Sequence, residues 1–407
     1  MRNISTVKAL HQMGKKTANA KSTNKFPTFF QIKPGRKHIS MVISPLKALM
    51  DDQVAAWTNR GLTCTTLQTD SRSECMELQL THYDILFVTP EYALSQSFRE
   101  AISEEFKKCL ALLVFDEAHC IIEWGTSSFR PDYAHVAELM AIFLTTPVLA
   151  MTGTMSNQTR SDTLEIMNLF DCETVAVSPD RPEIYLDVKR TDEEVLNWLF
   201  NDLKVKKETT EKTIIYCRTV QQVLYLNELF LDRLGDYMYA HPGSRLADDR
   251  LVEQFSSAIA QTTKDRILKS FYENTNLRVV ISTVAFGMGI DIPDIRTVIH
   301  WGVPQGFCEY WQQVGRACRD GQKGRSIVHT APITRRLTTS DDMKDVFKNE
   351  ITRCIRYDVL TRLWLPEMGE ISQARHQCTS QCIDCICSAC RCCMYCRSTC
   401  ICRIKQL

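Results

Sequence analysis

Two adjacent carboxylates, Asp116 and Glu117, follow the apolar run Leu112 to Phe115. Such a run predicts a buried parallel strand, whose carboxyl end would project both side chains into the crevice where parallel sheets bind ligands. An acidic pair in that position can divide the work of nucleotide hydrolysis. Asp116 would hold the Mg²⁺ of the nucleotide, and Glu117 would orient the attacking water. The alternative is a helix start that follows a core strand and has no catalytic role.

Hydrolysis between two lobes also needs cations on the second lobe, because negative charge spreads over the γ-phosphoryl oxygens in the transition state. The segment 312–321 (QQVGRACRDG) offers Arg316 and Arg319, which share one face if the segment is helical. A solvated pair or a salt bridge is the alternative. Upstream, the glycines of segment 283–291 (TVAFGMGID) would let the backbone approach a phosphate or a nucleic-acid strand, although a plain strand-to-helix turn explains them equally well.

The 19 cysteines are unevenly spread, and ten of them lie between Cys378 and Cys402. This clustering predicts metal binding in a reducing compartment rather than a disulfide scaffold. Four thiolates, those of Cys354, Cys378, Cys382 and Cys385, could form a closed tetrahedral Zn²⁺ site with a structural role. A cluster of free thiols is the alternative. The seven cysteines from 387 to 402 could bind a second metal, oxidise or belong to an irregular C-terminus.

Short apolar strands alternate with helices along most of the chain, which predicts an α/β fold with two similar parallel-sheet lobes. The first lobe has predicted strands at 38–43, 84–88, 112–115 and 147–151, and a helix that starts at Ser44-Pro45. The second has predicted strands at 213–217, 237–241, 278–282, 296–300 and 325–329, and a helix near 221–234. The two prolines of segment 179–182 are typical of a linker between the lobes.

Length and charge limit the class of protein. A chain of 407 residues is long enough for two or three domains. Its 49 Lys and Arg nearly balance its 48 Asp and Glu, so a nucleic-acid surface must be a local patch. No apolar run reaches membrane-spanning length, and no secretory signal is expected. The first fifty residues hold ten Lys or Arg and no acid, which favours a poorly specified basic segment over a transit peptide.

Eight short motifs follow one another along the chain: ISPLKALMDDQV (43–54), FVTPE (87–91), DEAHCIIEWG with FRPDY (116–133), MTGT (151–154), RPEIYLDV (181–188), IIYCRT (214–219), VAFGMGIDIPD (284–294) and QQVGRACRDG (312–321). Together, and in this order, they resemble the RecQ family of superfamily 2 DNA helicases. DEAD-box RNA helicases share the acidic pair, but the serine-proline-leucine element and the aromatic-rich stretch after the DEAH box are RecQ features. The resemblance covers residues 40 to 386.

The resemblance implies two tandem RecA-like parallel-sheet domains, 38–180 and 181–333, followed by a small helical zinc-binding subdomain, 334–386. A basic, poorly specified segment, 1–37, precedes them. A Cys-rich tail, 387–407, which the family pattern does not require, follows them. It implies ATP, Mg²⁺ and Zn²⁺ as cofactors, single-stranded and branched DNA as partners, no membrane and a nuclear location. The ATP site would use Asp116, Glu117, His119, Gly289, Asp291, Gln312, Arg316 and Arg319. The DNA contacts would come from Ser44, Thr89, Trp124, Phe129, Arg130, Tyr133 and Thr283. A hydrophobic anchor is the alternative role of the aromatic-rich stretch 124–133.

The chain also departs from the family pattern. No Gly-x-x-x-x-Gly-Lys-Ser/Thr loop, whose backbone N–H groups and lysine cradle phosphates, is found before the acidic pair; the nearest string is MGKKT at 13–17. The glutamine motif that recognises adenine is absent as well, Glu123 replaces a glutamine, and Cys318 replaces a glycine. No winged-helix domain follows residue 386. These departures predict a truncated or catalytically impaired helicase, with a non-catalytic nucleic-acid-binding remnant or a metal-binding remnant as alternatives.

Overall fold

The structure is a computed structural model that describes residues 38–400 with gaps. The gaps fall at 46, 69–79, 126–129, 170, 191–192, 242, 274, 284–285, 287–291, 331–338, 348–351, 370 and 372–387. Two compact units follow one another, one ending at Thr174 and the other beginning at Val175. Each is built on one sheet of parallel strands, which confirms the predicted α/β class. Among the helices described, none is long and apolar enough to cross a membrane.

The first unit contains a five-stranded sheet in the order β2-β3-β1-β4-β5. Its strands are β1 (Ile39–Ile43), β2 (Cys64–Leu67), β3 (Ile85–Val88), β4 (Leu110–Phe115) and β5 (Val148–Ala150). Four of these five confirm the predicted strands, and β2 is an additional edge strand. Because β1 and β4 are neighbours in register, Ile43 and Phe115 lie side by side at the carboxyl edge of the sheet.

The helices of the first unit are α1 (Lys47–Thr58), α2 (Pro90–Leu94), α3 (Gln96–Ala101), α4 (Glu104–Cys109), α5 (Cys120–Glu123), α6 (Ala137–Ile142) and α7 (Asn157–Ile166). Side-chain hydroxyls cap the N-termini of several of these helices. Ser95, Ser103 and Ser156 accept hydrogen bonds from the N–H groups of Phe98, Phe106 and Thr159. These caps satisfy donors that have no partner inside the helix.

The second unit contains a six-stranded sheet in the order β6-β11-β10-β7-β9-β8. Its strands are β6 (Ile184–Arg190), β7 (Lys212–Cys217), β8 (Val252–Phe255), β9 (Val279–Ser282), β10 (Ile295–Trp301) and β11 (Gly324–Thr330). The helices are α8 (Asn197–Lys206), α9 (Val220–Leu234), α10 (Gln261–Tyr272), α11 (Phe307–Val314), α12 (Asp341–Val346), α13 (Ile355–Leu363), α14 (Ser388–Cys392) and α15 (Met394–Ser398).

Helix α9 illustrates how the sequence specifies these elements. The Thr219 hydroxyl caps its start by accepting the Gln222 N–H at 3.2 Å. Its buried side chains then recur every three or four residues, at Val223, Leu226, Phe230 and Leu234. This spacing is the apolar stripe of an amphipathic helix. The helix expected after residue 334 is also present as α12 and α13, which pack into the core of the second sheet.

Three local predictions are wrong. Segment 237–241 is not a strand: a 3₁₀ turn covers Gly235–Met238, and Tyr239 makes only an isolated antiparallel bridge to Arg250. The strand at that edge of the sheet is β8. The helix expected at Ser44-Pro45 begins at Lys47, because the Ser44 N–H continues the sheet by donating to the Val88 carbonyl at 3.0 Å.

The third wrong prediction concerns the proline-containing segment 179–182, which is not a free linker. The indole Nε1 of Trp311 donates to the Pro179 carbonyl at 2.8 Å. Asp180 pairs with Arg356 at 2.5 Å, and the Arg181 guanidinium contacts the turn after α11. Segment 179–182 is therefore part of the second unit.

Two histidines are buried in the second unit, His300 and His329, and they predict that the free energy of unfolding falls at acid pH. Burial lowers the pKa of His300 and of His329 from 6.5 to about 3, so both are neutral in the folded protein. The unfolded chain binds these protons near pH 6.5. The free energy of unfolding is therefore undiminished above pH 6.5 and falls as the pH drops toward 3, by about 1.4 kcal/mol per pH unit for each histidine.

His300 packs between Tyr216 and Tyr310, with ring centroids 5.9 and 5.1 Å away. His300→Phe keeps an aromatic ring there and removes one titrating group. Urea unfolding between about pH 7 and pH 5 should then show a shallower pH dependence than in the wild type, by roughly one proton. The same slope of the free energy of unfolding against pH in both proteins would contradict a lowered pKa of His300.

Candidate active site

The acidic pair lies directly after β4, at the carboxyl edge of the first sheet. The Asp116 N–H donates to the Ile43 carbonyl of β1 at 2.9 Å. Gln53 reaches Asp116 from α1, its Nε2 donating to Oδ2 at 3.2 Å. Burial and the neighbouring Glu117 charge raise the pKa of Asp116 to about 6, while the Gln53 hydrogen bond lowers it. Asp116 is thus a carboxylate that a cation at this edge would ionise fully.

Glu117 has a left-handed backbone, with φ at +49°. A residue with a Cβ adopts this conformation at a cost of roughly 1–2 kcal/mol, and such residues concentrate at functional sites. Both carboxylates are half-buried at this edge, and Oε2 of Glu117 is itself buried although the side chain as a whole is 34% exposed.

His119 joins the acidic pair to the MTGT segment. Its Nδ1 lies 2.8 Å from the Thr152 hydroxyl and 3.3 Å from Oε2 of Glu117. The Thr152 hydroxyl donates its own hydrogen to the Thr154 carbonyl, so it accepts from His119. Burial lowers the pKa of His119, which is therefore a neutral ring with its proton on Nδ1. The Nδ1–H of His119 therefore connects the motif DEAHCIIEWG to the motif MTGT.

Arg130 organises the aromatic-rich segment 124–133. Its guanidinium forms a two-pronged ion pair with Glu91, at 2.6 and 2.7 Å, and also donates to the Pro45 carbonyl. The guanidinium lies over the rings of Trp124 and Tyr133, 5.6 and 5.3 Å from their centroids. Arg130 thus connects the segment to FVTPE and ISPLKALMDDQV.

Not every residue expected at a DNA surface is exposed. Tyr133 is 2% exposed and packs edge-to-face on Trp124 at 5.6 Å, so it anchors the segment, as the structural alternative predicted. Ser44 and Thr89 are buried as well, and the Thr89 hydroxyl caps α2. Thr283 is partly exposed, and Phe129 lies outside the described residues.

In the second unit the arginines do not share a helical face. Helix α11 ends at Val314, and its C-cap is Gly315, so Gln312 is helical while Arg316 and Arg319 lie in the following turn. The two guanidiniums are close enough to Tyr216 to oppose the rise that burial causes in its pKa. Gly289 and Asp291, predicted in the same ATP site, fall outside the described residues.

Arg181 holds the turn that follows α11, a role the sequence did not reveal. It donates from Nη1 to the Gly315 carbonyl at 3.0 Å, and from Nη2 to the Ala317 and Cys318 carbonyls at 2.9 and 3.1 Å. Its Nε donates to Glu183 at 2.6 Å. RPEIYLDV was recognised as a motif, but a contact across more than a hundred residues carries no local signal.

The predicted zinc ligands are only partly described. Cys378, Cys382 and Cys385 lie in the gap at 372–387. Cys354 is described, and it lies together with three cysteines of the tail: Cys392, Cys393 and Cys396. The sequence leaves the role of those three residues open, with binding of a second metal as one of the alternatives.

The turn after α11 also explains one departure from the family pattern. Cys318, where relatives carry glycine, has φ at +54°. Left-handed backbone favours glycine by roughly 1–2 kcal/mol. Cys318→Gly and Cys318→Ala both lose the sulfur. The difference between their free energies of unfolding therefore measures the cost of the left-handed backbone for a residue with a Cβ. We expect the glycine variant to be more stable by about 1 kcal/mol in urea unfolding.

The exposed helical residue Leu231 supplies the matched control, because alanine should be better than glycine there by about 1 kcal/mol. Greater stability of alanine at both positions would contradict a strained Cys318.

Two domain families match the chain. The DEAD/DEAH box helicase domain matches residues 16–163, and the helicase conserved C-terminal domain matches residues 193–321. The chain is 30% identical over 324 residues to the RecQ-like DNA helicase BLM of Xenopus laevis, which covers 75% of this chain and 22% of that protein. It is 31% identical over 323 residues to the probable ATP-dependent DNA helicase RecS of Bacillus subtilis, covering 76% of this chain and 61% of that one.

The chain thus spans less than two thirds of the length of either relative. Among solved structures, Saccharomyces cerevisiae Dbp5 bound to RNA and ADP BeF3 is similar with a TM-score of 0.56 and 17% identity, covering 81% of this chain and 82% of that chain. This likeness concerns the fold alone.

The two matched domains, one on each parallel sheet, define a superfamily 2 helicase. Within that class, the similarity to its members over about three quarters of the chain places this chain in the RecQ family.

Proposed function

We propose that this chain is an ATP-dependent DNA helicase that moves 3′ to 5′ along single-stranded DNA. One observation carries the proposal: the contacts from Gln53 to Asp116 and from Glu117 through His119 to Thr152 connect an acidic pair to two further motifs. A plain helix start after a core strand would need none of these contacts. The RecQ family membership supports DNA rather than RNA as the substrate.

The residues present fit the Mg²⁺ of a nucleotide, because Asp116 offers a hard oxygen ligand that Gln53 already orients. When bound, the ion would neutralise phosphate charge and favour ionised Asp116. Glu117 accepts a hydrogen bond from the attacking water and orients it. His119 packs beside Glu117, with its Nδ1 3.3 Å from Oε2 of that carboxylate.

Arg316 and Arg319 supply the cations that the transition state requires, and Arg181 fixes the turn on which they lie. Gln312, Gly289 and Asp291 add uncharged, backbone and carboxylate groups to the same nucleotide site. Robust turnover also needs a phosphate cradle, and the residues that would provide it precede those described.

Single-stranded DNA is sensed through the aromatic-rich segment. Trp124 is partly exposed and offers a face for base stacking, and Arg130 lies over that ring. Binding of a base on Trp124 would compete for the Arg130 guanidinium, which ties the segment to Glu91. Phe129 and Thr283 add DNA contacts, while Tyr133 serves as the anchor. Ser44 and Thr89 contribute only if their buried backbone becomes accessible.

Strand separation tests this function directly. We expect the purified chain, with ATP and Mg²⁺, to unwind a partial duplex that carries a 3′ single-stranded tail and to leave one with a 5′ tail intact. Arg130→Ala should keep DNA binding within a few-fold and lose most of the unwinding. Equal binding of both substrates with no unwinding of either would contradict the proposed helicase activity.

The second candidate is a non-catalytic DNA-binding module, favoured by the absent glycine-rich phosphate loop. This candidate predicts an affinity for DNA that falls with salt concentration and does not change when ATP is added. Three statements stay predictions. They are a cellular role in repair, recombination or replication, a preference for branched DNA, and a nuclear location. Bacterial as well as animal members of the family match the chain.

A further inference from the structure

The buried ring of His119 has a carboxylate on each side. Oε2 of Glu117 lies 3.3 Å from its Nδ1, and Oε2 of Glu123 lies 3.9 Å from its Nε2. Glu123 is one helical turn after His119, and its N–H donates to the His119 carbonyl at 3.1 Å. Residues four apart in a helix share a face. The backbone of α5 therefore places the Glu123 carboxylate beside the second nitrogen of the ring.

The neighbours of the two ring nitrogens decide where the proton is. Nδ1–H donates to the Thr152 hydroxyl at 2.8 Å, so the neutral ring has a lone pair on Nε2. The Sγ of Cys120 lies 3.6 Å from Nε2. Burial and the Glu117 charge raise the pKa of this thiol, which therefore keeps its proton and donates it to that lone pair. In the neutral state, the Glu123 carboxylate thus faces a ring nitrogen without a proton.

Two opposing influences act on a second proton at this ring. Burial disfavours a charged imidazole, whereas a carboxylate within about 4–6 Å favours it. Burial lowers the pKa of His119, and the Glu123 charge raises it. The described groups that face the ring are Glu117 on the turn after β4, Cys120 and Glu123 on α5, and Thr152, which does not titrate, after β5. Arg130 is near enough to influence the Cys120 thiol, but its guanidinium pairs with Glu91. Among these groups, Glu123 is the carboxylate on the Nε2 side.

We propose that Glu123 is a positioning residue that acts through His119 and makes ATP hydrolysis by this chain sensitive to acid. The inference rests on the proposed function, because it gives Glu123 control over the ring beside Glu117. In acid, a proton from solvent adds to Nε2 and pairs with the Glu123 carboxylate, while the Nδ1–H stays in place. The ring then carries a positive charge 3.3 Å from Oε2 of Glu117. That charge favours the ionised form of Glu117 and so weakens it as an acceptor of the proton of water.

The pH dependence of kcat for ATP hydrolysis tests the proposal. Glu123→Gln keeps the shape of the side chain and removes its charge, so the fall of kcat in acid should move to lower pH by about 0.5 to 1 pH unit. On the acid side of that fall, the variant should be about 3- to 10-fold faster than the wild type. Glu123→Asp keeps the charge at a greater distance and should show a smaller shift.

The matched control is Glu138→Gln, which removes the same charge from an exposed pair with Arg99 in the same unit. Its pH profile should follow that of the wild type. A purely structural Glu123 would change kcat by the same factor at every pH. That result, or a profile of Glu123→Gln that coincides with that of Glu138→Gln, would overturn the proposal.

Protonation of the ring can also be followed without ATP. The chain has nine histidines, and the imidazole resonance that His119→Asn lacks identifies His119 in a sample with isotope-labelled histidines. We expect the midpoint of its titration to lie at lower pH in Glu123→Gln than in the wild type. The same midpoint in both proteins, or a wild-type ring that stays neutral down to about pH 5, would overturn the proposal. A lowered midpoint in a chain that does not hydrolyse ATP would support the action of Glu123 on His119 and contradict only the proposed function.

Discussion

Glu117→Gln should lower kcat for ATP hydrolysis by about 10²- to 10⁴-fold, the usual contribution of a positioned base. Glutamine keeps the shape and the contact with His119 but cannot take a proton from water. The variant should also lower the pKa of Asp116, because one of the two causes that raise it is the Glu117 charge. Binding of a Mg²⁺-nucleotide should therefore persist to lower pH in the variant than in the wild type.

Steady-state turnover and Mg²⁺-dependent nucleotide binding, each measured across pH, test this prediction. Glu138→Gln is the matched control: Glu138 is an exposed glutamate of the same unit that pairs with Arg99. Its turnover should equal that of the wild type, since an exposed ion pair of this kind contributes little. Equal turnover of Glu117→Gln and Glu138→Gln would show that Glu117 is not the catalytic residue.

Arg181→Ala should lower kcat by about 10- to 100-fold, although Arg181 is a positioning residue. Three carbonyls of the turn, from Gly315 to Cys318, lose their donor, and the turn that carries Arg316 is free to shift. A misplacement of about 1 Å costs up to 10²-fold, whereas loss of Arg316 itself should cost about 10³-fold or more. KM should change less than kcat, because the cations act mainly in the transition state.

Arg181→Lys should not restore the rate, because one ammonium cannot reach three carbonyls and Glu183 together. Arg245→Ala, which removes an exposed arginine paired with Asp236, is the control and should leave kcat unchanged. Rescue by lysine, or an unchanged kcat in Arg181→Ala, would contradict the positioning role. The triple variant Arg181→Ala/Arg316→Ala/Arg319→Ala should be no slower than Arg316→Ala/Arg319→Ala, because Arg181 acts through these two arginines.

The features that the sequence predicted are those encoded locally. Apolar runs such as 112–115 specify buried strands, and the caps and periodicity of α9 specify a helix. The position of Asp116 at the sheet edge follows from the strand that precedes it. In contrast, the aromatic and apolar run at 237–240 resembles a strand, but only one of its residues forms a bridge.

Features that depend on contacts between distant residues were not predictable. The bond of Arg181 to Gly315 spans 134 positions, and that between His119 and Thr152 spans 33. Burial of Tyr133 against Trp124 and Arg130 depends on the packed unit, so a ring assigned to DNA is an anchor. Nor did cysteine spacing alone decide between partners, because Cys354 has several candidates at plausible separations.

If the proposed function is right, binding of single-stranded DNA drives ATP hydrolysis at the acidic pair. The measurement is the steady-state rate of ATP hydrolysis with and without single-stranded DNA. In the presence of Mg²⁺, we expect the DNA to raise kcat of the wild-type chain and to have no such effect on Glu117→Gln. A wild-type rate that equals the rate of Glu117→Gln, with and without DNA, would show that the acidic pair does not hydrolyse ATP.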